Sequence, residues 1–186
     1  MQLLETKKEN YIGQADPFIL ESGGRYYIYT TGDDGIYAYS SDDLLTGWQF
    51  HGMVFTVPGE HSFWAPSVIE LDGTYYMYCS YEFFGDTPDQ GGHREALFVS
   101  QADNPLGPFG HPFSIDSQIV QNESGLYLFY STNTFEGDRI GTYIVVDKML
   151  DPYTPAGHPV PVVVPTLDEE IFRRDRYKTG QHWHTI

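Results

Sequence analysis

Two aspartates, Asp16 in Ala15-Asp16-Pro17 and Asp116 in Ser114-Ile115-Asp116, occupy corresponding points of a repeated pattern, and Trp64-Ala65-Pro66 occupies the same point of the middle copy. Carboxylates delivered to one place from separate stretches of chain are the groups of general acid–base hydrolysis, in which one takes a proton from water and another gives or tunes one. A lone Asp before Pro also serves as a turn cap. The shared place in the repeat is what favours the chemical reading. Pro17 disfavours the helical region for the residue before it, so Asp16 is expected to be extended. Other titratable groups offer less. His182 and His184 supply two imidazoles on one strand face without a third ligand, so no metal site is expected. Glu82 reads as a solvated loop carboxylate, Glu169 and Glu170 as part of an acidic surface connection, and the single cysteine, Cys79, as a small core residue.

The elements that must position these residues are set by repetition. Gly24-Arg25-Tyr26-Tyr27-Ile28-Tyr29 returns as Gly73-Thr74-Tyr75-Tyr76-Met77-Tyr78 and again as Gly125-Leu126-Tyr127-Leu128-Phe129-Tyr130. The period is about 50 residues, that of a propeller blade. Each block follows a short apolar strand and a Gly- or Asx-containing turn, the signature of a hairpin. Each is followed by a further pair of strands, and no stretch carries a helical period. The expectation is an all-β chain, a β-propeller of four-stranded blades in a single partial domain over 1–186. The blades span roughly 11–60, 61–112 and 113–165, and 180–186 reads as the first strand of a fourth. Three blades and a strand make an incomplete ring with exposed flanks, which predicts self-association or a second chain.

In a propeller the first strand of each blade lines a central channel, so Asp16, the Trp64-Ala65-Pro66 segment and Asp116 would converge there. Phe63, His61, Tyr81 and Asn133, near inner-strand ends, become candidate pocket residues, while Tyr26, Tyr27, Tyr75, Tyr76 and Tyr127 are assigned to packing between blades.

Composition excludes some functions. Of 186 residues, 26 are acidic and 10 basic, a net charge of −16 that disfavours binding to the phosphate backbone of nucleic acids or to anionic membranes. The cluster Arg173-Arg174-Asp175-Arg176 is too short and mixed in sign to reverse this. Aromatic residues make up 16% of the chain, which suits strands and sugar-stacking surfaces. With no apolar leader at the N-terminus and no membrane-spanning run, the expected location is the cytoplasm.

Taken together, Ala15-Asp16-Pro17-Phe18-Ile19, Gly24-Arg25-Tyr26-Tyr27, Phe63-Trp64-Ala65-Pro66-Ser67-Val68, Gly73-Thr74-Tyr75-Tyr76 and Ser114-Ile115-Asp116 resemble glycoside hydrolase family 43 in order and spacing. The resemblance implies a five-bladed propeller and inverting hydrolysis of xylosides, arabinofuranosides or arabinans, with no redox or nucleotide cofactor. It makes Asp16 the general base, Asp116 the residue that tunes and orients the acid, and Trp64 a wall of the sugar pocket. The family's acid is a Glu at the start of the fourth blade, delivered by a strand that His182-Trp183-His184-Thr185-Ile186 resembles. No Glu follows in this sequence, so the acid is expected from a second polypeptide or a neighbouring copy. A non-catalytic carbohydrate-binding or structural fragment is the alternative.

Overall fold

The structure is a computed structural model that describes residues 14–82, 95–110, 117–134, 137–177 and 180–184. The chain divides into two compact units, one holding strands β1 to β7 and the other β8 to β14.

In the first unit, β1 (Phe18–Ser22), β2 (Arg25–Thr30), β3 (Ile36–Ser41) and β4 (Gln49–Phe55) form a four-stranded antiparallel meander, the first blade. The β1–β2 turn is Gly23-Gly24, with φ of +59° and +77°. Such a two-residue turn needs left-handed backbone at both positions, where glycine carries no Cβ penalty. β5 (His61–Leu71), β6 (Thr74–Glu82) and β7 (Glu95–Ala102) form the second blade, and its first turn, Asp72-Gly73, repeats the same geometry at φ +51° and +80°. Among the described residues this sheet has three strands. Beyond β7 the described residues add a bridge between Gln101 and Gly110.

The two blades share one core. Tyr29, Ile36, Ala38, Val54 and Phe55 of the first meet Phe63, Val68, Met77, Cys79 and Tyr81 of the second. Cys79 is fully buried, as its strand setting implied. Tyr27 and Tyr29 lie in this core, and the buried Tyr29 hydroxyl donates to the Pro105 carbonyl at 2.7 Å, so its polar end is satisfied.

The second unit is built on β8 (Ser117–Asn122), β9 (Gly125–Thr134) and β10 (Gly141–Asp151), an antiparallel meander. The far edge of β10 is shared by three partners. β11 (Thr154–Pro155) and β12 (Val160–Val163) pair with it antiparallel, and the last strand pairs with it in parallel at Gly141–Thr142. A 3-10 turn at Asp168–Glu170 leads into β13 (Ile171–Tyr177) and β14 (Gly180–His184), which form an antiparallel hairpin. The Arg173–Arg176 segment is therefore part of a strand. The tail is a strand as expected, and its pairing with both β13 and β10 joins it to the third sheet. Among the described residues no helix is long and apolar enough to cross a membrane.

Candidate active site

The candidate residues that can be placed lie on the seam between the first two blades. Extending the β1–β2 register two steps beyond Phe18↔Tyr29 sets residue 16 opposite residue 31; the side chains of this pair bond each other, while the backbone bond slips by one residue to Ala15. The Thr31 amide donates to the Ala15 carbonyl at 3.1 Å, and the Thr31 hydroxyl donates to Asp16 Oδ2 at 2.8 Å. The same Thr31 oxygen accepts the Ala65 amide at 3.1 Å. Alongside, Gly32 and Phe63 exchange backbone bonds of 3.1 and 2.9 Å, and the Ser62 amide donates to the Asp33 carbonyl at 2.7 Å. Three chain segments, 15–16, 31–33 and 62–65, are thereby laced together.

The backbone of this seam is unusual. Asp16, Ser62 and Ala65 have φ of +48°, +57° and +48°, in the left-handed region. Each such non-glycine residue costs about 1–3 kcal/mol and persists where its surroundings hold it; such residues cluster at functional sites. The expectation that Pro17 keeps Asp16 extended is thus corrected. Asp tolerates the left-handed region better than most residues, and the bond from Thr31 holds the carboxylate there. A second correction concerns Trp64-Ala65-Pro66, which lies within β5 rather than at its entrance. Pro66 has no amide to donate and Ala65 turns the chain, so the β5–β6 register shifts between Trp64 and Ser67.

Asp16 is exposed, and among the described residues only Thr31 bonds its carboxylate, through Oδ2. Trp64 is half-buried, so part of its surface remains accessible. His61 is exposed at the start of β5, with its Nδ1 3.1 Å from the Ser62 hydroxyl.

Phe63 and Tyr81, both expected as pocket residues, are corrected to core residues. Phe63 is 0% exposed and packs against Phe55 edge-on at 5.7 Å and Tyr81 at 5.0 Å. Tyr81 is 5% exposed and stacks on Phe98 at 3.7 Å. Burial, with a smaller contribution from Glu60, pushes the Tyr81 phenol up to about 12, so it stays protonated in the neutral range. Phe63 and Trp64 are consecutive on a regular step of the ladder, opposite Tyr81 and Ser80, so their side chains take opposite faces, which is why proximity to Trp64 in sequence misleads for Phe63. Asp116 lies outside the described residues, as do the side chains of Asn133, Glu82, His182 and His184. Among the described residues no group of three or more His, Cys, Asp or Glu is arranged to hold a metal.

Comparison with known proteins decides what this seam belongs to. The profile of "Glycosyl hydrolases family 43" matches residues 12–178. The chain belongs to glycosyl hydrolase family 43. A relative in Streptomyces avermitilis, named an extracellular exo-alpha-(1->5)-L-arabinofuranosidase, is 28% identical over 178 residues, covering 84% of this chain and 36% of its own. A probable arabinan endo-1,5-alpha-L-arabinosidase C of Aspergillus clavatus is 37% identical over 71 residues, covering 35% of this chain and 22% of its own. The chain thus spans well under half the length of these curated relatives. Among solved structures, a thermostable family-43 glycoside hydrolase superposes with a TM-score of 0.70 at 25% identity, over 85% of this chain and 55% of that one. An alpha-L-arabinofuranosidase from Lactobacillus brevis, at 17% identity and a TM-score of 0.69, covers 89% of this chain and 59% of that one and shares the fold.

These family-43 neighbours are five-bladed β-propellers, which accounts for the blade repeat. The expectation of a cytoplasmic protein does not stand, because the relative aligned over most of this family-43 chain is named an extracellular enzyme. Thr31 is the residue of the family-43 seam that sequence reasoning missed. The hairpin register, carried two residues past the strand ends, would have found it.

Proposed function

We propose that this chain carries the base half of an inverting glycosidase that cleaves α-L-arabinofuranosides outside the cell. Asp16 Oδ1 takes a proton from water, the water oxygen bonds to the anomeric carbon, and the bond from that carbon to the leaving oxygen breaks. A general acid from outside positions 1–186, on a completing segment or chain, protonates the leaving oxygen, and Asp116 tunes that acid. Room for the attacking water requires the base and acid carboxyls to lie roughly 6.5–9.5 Å apart. Trp64 forms one wall of the sugar pocket, with His61 at its rim as a hydroxyl partner. The names of the relatives, arabinanases and an arabinofuranosidase, favour arabinose over xylose.

The observation that carries the reading is the exposed Asp16, whose Oδ2 is held by Thr31 beside the Trp64-Ala65-Pro66 segment. The test is hydrolysis of an aryl α-L-arabinofuranoside with an activated phenolate, which leaves with little help from an acid, in the wild type and in Asp16→Ala. The substitution is expected to lower kcat about 10²–10⁴-fold, the usual contribution of a general base, and the first-formed sugar should be the β-anomer. Unchanged turnover in Asp16→Ala, or an α-anomer as first product, overturns the reading. Sugar binding by calorimetry without any turnover would instead identify a carbohydrate-binding module.

A further inference from the structure

We propose that Thr31 is a positioning residue: its hydroxyl selects which oxygen of Asp16 acts as the base and ties that base to the Trp64 wall of the pocket. This inference rests on the reading of Asp16 as the general base.

The argument is one of proton accounting. An amide N–H can only donate, so the Ala65 amide, 3.1 Å from Thr31 Oγ1, must place its hydrogen on that oxygen. A hydroxyl has a single proton, and the acceptor left for it is Asp16 Oδ2 at 2.8 Å. The polarity of the bridge is therefore fixed, running from Ala65 through Thr31 to Asp16. The same accounting fixes the Ser22–Tyr75 contact, where Ser22 gives its proton to Glu70 and the Tyr75 hydroxyl donates to Ser22. Oδ2 is committed as an acceptor from Thr31, and Oδ1 is left as the oxygen that meets water.

Thr31 is itself well held. It is 7% exposed, its amide is bonded to the Ala15 carbonyl, and Gly32 beside it is paired on both sides with Phe63. A β-branched side chain has few rotamers open to it in such a place, so the hydroxyl is aimed by packing. Its two partners, Asp16 and Ala65, are both left-handed residues directly before a proline, at φ +48° each. One hydroxyl thus joins the two strained turns that present the base and the pocket wall. Loss of that hydroxyl leaves Asp16 free to rotate and deprives the Ala65 amide of its acceptor, which should appear in the chemical step more than in binding.

The experiment compares the wild type with Thr31→Val, which keeps the shape and removes the hydroxyl, Thr31→Ser, which keeps the hydroxyl, and Asp16→Ala. Steady-state hydrolysis of the activated aryl α-L-arabinofuranoside is measured together with hydrogen exchange of the Ala65 amide. Thr31→Val is expected to lower kcat about 10–100-fold, the range for losing a hydrogen bond to a charged group, with KM within about threefold and faster exchange at Ala65. Thr31→Ser is expected to keep kcat within a few-fold of wild type and to keep the Ala65 amide protected.

Wild-type kcat in Thr31→Val, a loss confined to KM, or a Thr31→Ser variant as impaired as Thr31→Val overturns the proposal. If Thr31→Val does not fold, Thr31→Ser decides, because a drop of tenfold or more with the hydroxyl in place assigns Thr31 to packing. The two readings fail separately. Full activity in Asp16→Ala removes the base assignment, whereas an Ala65 amide unmoved by Thr31→Val removes the bridge whatever the role of Asp16.

Discussion

Phe63 stands one residue before Trp64, yet the two are assigned opposite roles, and Phe63→Ala separates them. The ring is fully buried between Phe55 and Tyr81. An aromatic side chain buries about 150–250 Å², which at about 25 cal/mol per Å² corresponds to roughly 4–6 kcal/mol. Burial counted against an extended chain is an upper bound, and truncation of a core Phe to Ala typically costs about 3–5 kcal/mol. For a chain of this size each kcal/mol moves the melting temperature by about 2–4 °C, so Phe63→Ala should melt roughly 6–20 °C below wild type. The assay is a thermal melt with a denaturant titration beside it, and calorimetry with arabino-oligosaccharides on the folded fraction at low temperature. Stability should collapse while affinity per folded molecule stays near wild type. A variant that melts within about 2 °C of wild type and binds sugar more than tenfold more weakly would put the ring in the pocket and refute the packing argument.

Two further perturbations test other parts of the molecule. Gly141 has φ +150°, and a Cβ built there would lie 2.7 Å from the Trp183 nitrogen and 2.8 Å from its carbonyl carbon, so Gly141→Ala should part β14 from β10. The expected cost is about 1–3 kcal/mol, with faster hydrogen exchange at the Trp183 amide, and unchanged exchange there would show that the pairing is not close. His51, 2.8 Å from the Ser40 hydroxyl, is held below the ordinary imidazole range by burial and then by Arg25. Its contribution to stability is therefore present in full above the unfolded imidazole's value and is lost as the pH falls through the folded one. Melting temperature should rise with pH across that interval in wild type and less so in His51→Gln. Identical profiles would remove His51 as the cause.

Much of this was legible in the sequence, for identifiable reasons. The hairpins could be read because Gly23-Gly24 and Asp72-Gly73 suit a turn that demands left-handed backbone at both positions, and the repeat made each hairpin a check on the others. Asp16 could be singled out as a candidate because its chemistry and its place in the repeat agree. Its conformation could not, since the residue before a proline is biased toward extended backbone and only the bond from Thr31, distant in sequence, holds it elsewhere. Phe63 and Tyr81 were misplaced because nearness to Trp64 in sequence does not mean the same face: side chains alternate along a strand, and Phe63, paired with Tyr81, turns into the core. The hairpin β13–β14 carried no Gly-Asx turn signal that would have set it apart from a loop.

Asp16 belongs to the first blade and the Trp64 wall to the second, and their relative placement is set by the Thr31 bridge, the Gly32–Phe63 pair and the Ser62–Asp33 bond. Every one of these lies inside one compact unit with a shared apolar core. The left-handed Asp16, Ser62 and Ala65 are held by these contacts within the unit. If Asp16 is the base, as proposed above, the Thr31 bond orients it, and a base so held is pre-organised in the sense that matters for catalysis.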